Sequence, residues 1–135
     1  MKHQGFTLIE LLVVLAIAGT LLAIVGPLGY QSVERVRTQT ELVALQRWYD
    51  RVGYLAFIHG AGVSVTWQGD SDVIATAREL VIAEKQVARL SPVDKSPIVF
   101  TSAGMPNRRA VTFETEQGKT HTVELTGVLS LRSAY

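Results

Sequence analysis

One apolar run near the start of the chain constrains its structure more than any other feature. Phe6–Tyr30 contains a single charged side chain, Glu10, and no other charge lies between Lys2 and Glu34. As an α-helix this segment would be about 37 Å long, enough to cross a hydrocarbon core of about 30 Å. A lone acid costs about 2.5–3.5 kcal/mol at the bilayer centre and less near the end of the helix. The run therefore predicts a membrane anchor whose one carboxylate needs a partner.

The residues that flank the run favour a retained anchor over a removed secretory signal. A secretory signal has a basic leader, a shorter apolar region and a small-residue cleavage site after it. Here the leader is only Met1–Gly5, and the nearest small residues, Ala23–Gly26, lead directly into Pro27. We therefore expect the helix to remain in the membrane.

The start of the anchor resembles the class III signal of type IV pilins and type II secretion pseudopilins, and the segment that carries the resemblance is Gly5-Phe6-Thr7-Leu8-Ile9-Glu10. The resemblance implies that a membrane peptidase cuts after Gly5 and that the new N-terminus, Phe6, is N-methylated. It also implies that Glu10 pairs with the N-terminal amine of a neighbouring subunit during fibre assembly. Pro27, the twenty-second residue counted from Phe6, matches a proline common in that family.

Two of these residues have local interpretations as well. Thr7-x-x-Glu10 fits a helix capping box, and this role is compatible with a pairing role for Glu10. Pro27 removes a backbone donor and clashes with the preceding turn, so we expect a kink or a local break there. The break would either end the helix near the membrane surface or, as the resemblance implies, give the anchor a flexible point for packing into a fibre.

The helical pattern continues beyond the anchor as an amphipathic segment. One apolar face recurs with helical spacing and consists of Leu42, Leu45, Tyr49, Val52 and Ala56. The first strong stop is Gly60-Ala61-Gly62. The pattern predicts one helix of roughly fifty residues, with two helices separated at Pro27 as the alternative.

After Gly62 the apolar period changes to two, which predicts strands. We expect strands at Val63–Trp67, Val73–Ala77, Ile98–Phe100, Val111–Glu114, Thr120–Leu125 and Val128–Leu131. The composition of Leu80–Leu90 fits either a helix or strands, and the family resemblance favours two short strands there. The predicted fold is therefore α+β: a long N-terminal helix, transmembrane in its first half, packed against a small, mostly antiparallel β-sheet domain, as in the pilin fold. The domain boundaries are a leader at 1–5, a transmembrane segment at 6–30, an amphipathic helix at 31–59 and a globular domain at 60–135.

The C-terminal half resembles the end of H-type minor pseudopilins and related minor pilins. The resemblance rests on Pro97–Phe100 followed by Gly104, a hairpin around Gly118, and Gly127 before a last strand. The chain departs from that pattern at Ala103, where an acidic residue or asparagine usually precedes the glycine. The last strand also lacks a basic residue after its glycine.

The charge balance and the residue types do not favour catalysis, metal binding or dedicated nucleic-acid binding. The chain has 13 basic and 12 acidic side chains and no cysteine, and it shows no catalytic constellation, metal-ligand spacing or phosphate loop. Asp70-Ser71-Asp72 supplies too few oxygens for a typical calcium site and is interpreted as a polar turn. Arg108, Arg109, Lys119 and Arg132 are a candidate DNA-binding patch, although a solvated surface is the preferred interpretation.

The sequence hypothesis is thus a minor pseudopilin of the type II secretion system, without enzymatic activity, cofactor or metal. Its expected partners are other pseudopilins or pilins, the prepilin peptidase/methyltransferase, the inner-membrane assembly platform and inner-membrane lipid, with DNA not favoured. The expected location is the bacterial inner membrane, with a single pass and the C-terminal domain in the periplasm. The alternatives are a minor pilin of a type IV pilus, acting in pilus priming, motility, adhesion or DNA uptake, and a membrane-anchored periplasmic sensor or enzyme domain.

Overall fold

A computed structural model describes residues 4–128. Its first element, α1, is a helix of 52 residues at Leu8–His59, and the helical assignment continues through Pro27. The prediction of one long helix is confirmed, and its end before Gly60 agrees with the glycine stop. The chain divides into two compact units, Met1–Arg37 and Thr38–Tyr135.

The first unit is the exposed apolar part of α1. Its large side chains between Phe6 and Tyr30 are all exposed to solvent, and α1 contains a window that is long and apolar enough to span a membrane. Hydroxyl groups within this part bond back to the helix: Thr20 Oγ1 donates to the Ile17 carbonyl at 2.8 Å and Ser32 Oγ donates to the Leu28 carbonyl at 3.0 Å. These two hydroxyl groups therefore have partners that do not depend on water.

The second unit consists of the end of α1 and two antiparallel sheets. The strands are β1 (Val63–Gln68), β2 (Asp72–Ala77), β3 (Leu80–Gln86), β4 (Leu90–Pro92), β5 (Ile98–Phe100), β6 (Ala110–Thr115) and β7 (Thr120–Glu124). The larger sheet has the order β3-β2-β1-β5 and the smaller sheet has the order β4-β6-β7. All pairs are antiparallel. The α+β prediction is confirmed, with the strands shared between two sheets.

The core lies between the last turns of α1 and the inner faces of both sheets. The predicted helix face is buried from Leu45 to Ala56, and Leu42 packs at its margin. Successive side chains of a strand point to opposite faces of the sheet, so every second residue of a strand lies in the core. The members buried on the strands include Val63, Val65, Val73, Ala75, Ile98, Phe100, Val111, Phe113 and Val123.

Aromatic side chains from α1 and from both sheets lie in this core or pack against it. The Trp67 ring on β1 lies 5.7 Å from the Phe113 ring on β6. Tyr49 is 1% exposed, and neither its hydroxyl nor the Trp67 indole N–H has a hydrogen-bond partner among the residues described. Burial raises the pKa of Tyr49 to about 12.

The segment between β2 and β5 differs in detail from the prediction. Two short strands were expected within Leu80–Leu90, whereas β3 occupies Leu80–Gln86 as one strand and β4 begins only at Leu90. The register between β2 and β3 shifts near Ala75/Thr76, and this irregularity breaks the period of two that would identify a single strand. The strand expected at Val128–Leu131 lies largely outside the described residues.

Polar side chains on α1 attach the helix to the sheets. The Glu41 carboxylate accepts the backbone N–H groups of Ala88 and Arg89 at 2.6 and 3.0 Å. Gln46 Nε2 donates to the Glu124 carbonyl at 2.6 Å, and the Thr126 hydroxyl donates to Asp50 at 3.0 Å. These hydrogen bonds pair polar groups that lie at the end of β7 or just beyond the ends of β3 and β7, and they hold the end of α1 against both sheets.

A close backbone approach joins the turn after β5 to the last turns of α1. A Cβ on Gly104 would lie 2.8 Å from the Gly53 carbonyl oxygen and 3.3 Å from Phe57 Cβ. Gly104 also has a φ of +73°, which disfavours residues with a Cβ. The turn after β5 can therefore contact α1 only because a glycine is present there.

Candidate functional site

The candidate site is the first turn of α1, where the only acid of the apolar run lies. Glu10 and Thr7 form a reciprocal capping box: Glu10 N–H donates to Thr7 Oγ1 at 3.3 Å, and Thr7 N–H donates to Glu10 Oε2 at 3.0 Å. Thr7 Oγ1 also donates to the same Oε2 at 3.2 Å. The structure therefore contains the capping box that the sequence Thr7-x-x-Glu10 predicts.

The capping box uses only one carboxylate oxygen of Glu10. Both Thr7 donors converge on Oε2, and within residues 4–128 no hydrogen bond to Oε1 is present. The side chain is exposed, and an ionised carboxylate has about four lone-pair sites. Glu10 can therefore keep its cap and still accept a cation from another molecule.

The predicted cleavage site lies just before this turn and is open. Phe6 is 89% exposed, and Gly5 is exposed with nothing within 4 Å of the position that a Cβ would occupy. Neither residue lies in a regular element, since α1 begins at Leu8. The Gly5–Phe6 bond is thus accessible, and the fold of this chain itself places no size limit on residue 5.

The predicted kink residue lies inside α1. Pro27 is helical, and its neighbours Gly26 and Gly29 have nothing within 4 Å of an added Cβ. A proline in a helix interior removes one hydrogen bond, and glycines add backbone freedom to the same turn. These residues make this turn the weakest part of the anchor, and its role as a flexible point stays a prediction.

The basic residues proposed as a patch are not brought together by the hairpin. Arg108 and Arg109 precede β6, whose first residue, Ala110, pairs with Glu124 at one end of the β6–β7 hairpin. Lys119 lies in the turn at the opposite end. Arg132 lies outside the described residues. Since the described members lie at two ends of a hairpin, they do not form one continuous surface.

One of these arginines is also engaged in an ion pair. Arg108 Nη1 lies 2.9 Å from Asp94 Oδ2. Hydrogen bonds from Ser96 and the Arg108 guanidinium lower the pKa of Asp94 to about 2. This arrangement holds the loop between β4 and β5, so Arg108 has a structural role that does not require a ligand.

The acidic turn and the histidines do not form a metal site in the part of the chain that is described. Asp70 pairs with Lys95, and Asp72 accepts a hydrogen bond from Ser71 at 3.3 Å. No group of three or more His, Cys, Asp or Glu side chains that could hold a metal occurs among residues 4–128. The turn between β1 and β2 contains Asp70 and Ser71, and Asp72 is the first residue of β2.

Comparisons with known proteins identify the N-terminal segment. The family described as "Prokaryotic N-terminal methylation motif" matches residues 1–26 of the 135. A polyketide synthase-nonribosomal peptide synthetase of Phaeosphaeria nodorum is 43% identical over 56 residues, which are 42% of this chain and 1% of that protein. Because this chain spans so little of that protein, the match carries no functional argument. No solved structure matches the chain.

The N-terminal segment therefore matches a methylation motif, and the long apolar helix followed by antiparallel sheets is a pilin-like α+β fold. The chain carries this methylation motif at the turn that holds Gly5, Phe6 and Glu10. Pilin-like proteins are typically structural rather than enzymatic. The motif implies a substrate of prepilin peptidase, and with the apolar helix it is consistent with an inner-membrane-anchored precursor.

Proposed function

We propose that this chain is a minor pseudopilin, of the H type, in a type II protein secretion system. The prepilin peptidase removes residues 1–5, Phe6 is N-methylated, and the subunit leaves the inner membrane to join a periplasmic pseudopilus. The observation that carries the proposal is Glu10, an exposed acid at the start of the otherwise uncharged run Phe6–Tyr30. Thr7 binds one of its oxygens, and no residue within 4–128 donates a hydrogen bond to the other.

The assembly step follows from the electrostatics of that turn. Cleavage after Gly5 creates a positive amine on Phe6, the cation that the apolar surroundings of Glu10 otherwise lack. An unpaired acid in a membrane helix costs up to about 2.5–3.5 kcal/mol, and pairing with the amine of an adjacent subunit offsets that cost. Only the correct axial stagger brings the two charges together, so Glu10 sets the position of each subunit relative to the next.

The test separates the pairing role of Glu10 from its capping role. Glu10→Gln retains a side-chain acceptor for the cap but loses the charge, whereas Thr7→Ala retains the charge and loses the hydroxyl. We expect Glu10→Gln to insert in the membrane, to be processed, and to enter fibres several-fold less well than Thr7→Ala. Measurements are immunoblots of membrane fractions, of sheared fibres and of secreted protein. Wild-type incorporation and secretion with Glu10→Gln would contradict the proposal.

A minor pilin of a type IV pilus is the second candidate, because the motif and the fold are common to both machines. The described arginines support a DNA-uptake role only weakly, since Arg108 is paired with Asp94. Salt-dependent DNA binding by the purified protein, lost in an Arg108→Ala, Arg109→Ala double variant, would favour this candidate. A mature protein that retains Met1–Gly5 would instead favour the third, a membrane-anchored sensor or enzyme domain.

A further inference from the structure

The outer edge of β3 is the most open strand edge of the described fold. β3 is the longest strand, with seven residues, and it is the edge strand of the larger sheet. Within residues 4–128 no strand pairs with its outer side. An edge strand carries backbone N–H and C=O groups that point away from the sheet and are available to another strand.

The other edges are closed or short. The outer side of β5 is occupied by Asn107, which accepts the Val99 N–H through its side chain at 3.1 Å and donates its own N–H to the Val99 carbonyl at 2.8 Å. β4 has three residues, and β7 has five with its Glu124 carbonyl bound by Gln46. Natural sheets commonly protect their edges in these ways, and also with lysines and bulges. β3 has one lysine, Lys85, and a shift of register against β2, but its seven-residue edge is the longest, and no strand within residues 4–128 covers it.

The turn that leads into β3 is strained and presents apolar side chains. Arg78 and Glu79 have φ values of 49° and 67°, a conformation that two-residue hairpin turns require and that residues with a Cβ adopt reluctantly. Leu80 and Val81 follow at once and are 70% and 56% exposed. Strained turns and exposed apolar pairs are both features of contact sites.

The far end of β3 carries unpaired negative charge beside a cleft. Glu84 faces Ile74 across the β2–β3 ladder, and Asp72 faces Gln86 one step further, so both carboxylates lie on the same face of the sheet. No cationic side chain pairs with either acid among the described residues. Both acids line a cleft of about 410 Å³, and one cation, Lys85, lines it as well. Because the two carboxylates outnumber the one ammonium group, the lining keeps a net negative charge that a lysine or arginine side chain complements.

We propose that β3 binds an extended segment of a partner protein as a fifth strand of the larger sheet. Backbone hydrogen bonds hold the segment to β3, an apolar residue of the segment contacts Leu80 and Val81, and a lysine or arginine enters the cleft beside Glu84. Backbone pairing supplies affinity and the side-chain contacts supply specificity. The proposal is independent of the pairing of Glu10 and holds for either fibre machine.

The test uses the full chain in detergent micelles and a short peptide of alternating valine and threonine with two lysines near one end. A peptide with glutamates in place of the lysines and one with a central proline serve as comparisons. Hydrogen–deuterium exchange of Leu80–Gln86 is the measurement. At a peptide concentration of about ten times the Kd, we expect outward-facing β3 amides to exchange about tenfold more slowly with the lysine peptide. The proline peptide should leave their exchange unchanged.

Charge reversal tests the side-chain contact. Glu84→Lys should weaken the binding of the lysine peptide by about two- to fivefold, the range expected for a single partly exposed ion pair. The same substitution should strengthen the binding of the glutamate peptide. The matched control is Glu116→Lys, which reverses an exposed acid in the β6–β7 turn and should change neither affinity. Equal exchange rates in β3 with and without every peptide, equal protection by the proline peptide, or unchanged affinities in Glu84→Lys would overturn the proposal.

Discussion

The contact between Gly104 and α1 allows a quantitative test of how the sheets are held to the helix. In Gly104→Ala the new methyl group would lie 2.6 Å from Val128 Cγ2 and 2.8 Å from the Gly53 carbonyl oxygen. The valine methyl can rotate away, but the helix carbonyl cannot move without breaking the helix. The turn must therefore shift off α1, which loosens the packing of Phe100 against Gly53 as well.

The expected cost has two parts. Placing an alanine at a φ of +73° costs about 1–2 kcal/mol, the usual penalty for a Cβ in the left-handed region. The forced displacement adds about 1–3 kcal/mol, the range for overpacking a well-packed contact. Gly104→Ala should therefore reduce the free energy of unfolding by about 2–5 kcal/mol.

A second glycine isolates the conformational part of this cost. Gly69 has nearly the same φ, +71°, but has nothing within 4 Å of an added Cβ. Gly69→Ala should therefore cost only about 1–2 kcal/mol. Urea unfolding of the full chain in a mild detergent, followed by the fluorescence of Trp48 and Trp67, measures both variants. Equal destabilisation by the two substitutions would refute the close helix–turn contact.

Four further predictions concern individual residues. Glu41→Ala should lower the free energy of unfolding by about 1–3 kcal/mol in the same assay, because it leaves two backbone N–H groups after β3 without their acceptor; a cost below about 0.5 kcal/mol would contradict these bonds. Tyr49→Phe should be neutral or stabilising, because no residue within 4–128 forms a hydrogen bond with the buried hydroxyl that it removes, and a clear loss of stability would reveal a hydrogen bond there. The fold lowers the pKa of Asp94 from 3.8 to about 2, so this carboxylate contributes fully to stability above about pH 4, and its contribution is lost as the pH falls through about 2. Acid titration of Asp94→Asn should lack this pH-dependent loss of stability. A variant with the same stability–pH profile as the wild type would contradict the prediction. Gly5→Leu should leave unfolding unchanged, since the position is open, but should leave the precursor uncut when intact mass is measured, and normal processing would remove Gly5 from the proposed cleavage site.

Local patterns predicted much of this fold because they depend on neighbours in the sequence. The spacing of Leu45, Tyr49 and Val52 predicts the buried helix face, and Thr7-x-x-Glu10 predicts the capping box that the structure contains. The β6–β7 hairpin follows from alternation on both sides of a glycine turn. Each of these features needs contacts over only a few residues.

Features that depend on distant partners could not be predicted in the same way. The division into two sheets follows from β5 pairing with β1 across more than thirty residues, and nothing in either strand specifies the other. Gly104 is visible in the sequence as a turn glycine, but its contact with Gly53 depends on where that turn lies against α1. The sequence shows the basic residues of the candidate patch but not their positions in space. The register of the β6–β7 hairpin places them at its two ends.

The most direct test of the assembly proposal is a zero-length carbodiimide cross-link in sheared fibres, read by mass spectrometry. Carbodiimide joins a carboxylate only to an amine in contact with it. The contact between Asp70 and Lys95 supplies an internal control within the same chain. The proposal predicts a peptide in which Glu10 is linked to the N-terminal residue of another subunit. Fibres that yield the Asp70–Lys95 link but no link from Glu10 to a neighbouring N-terminus would contradict it.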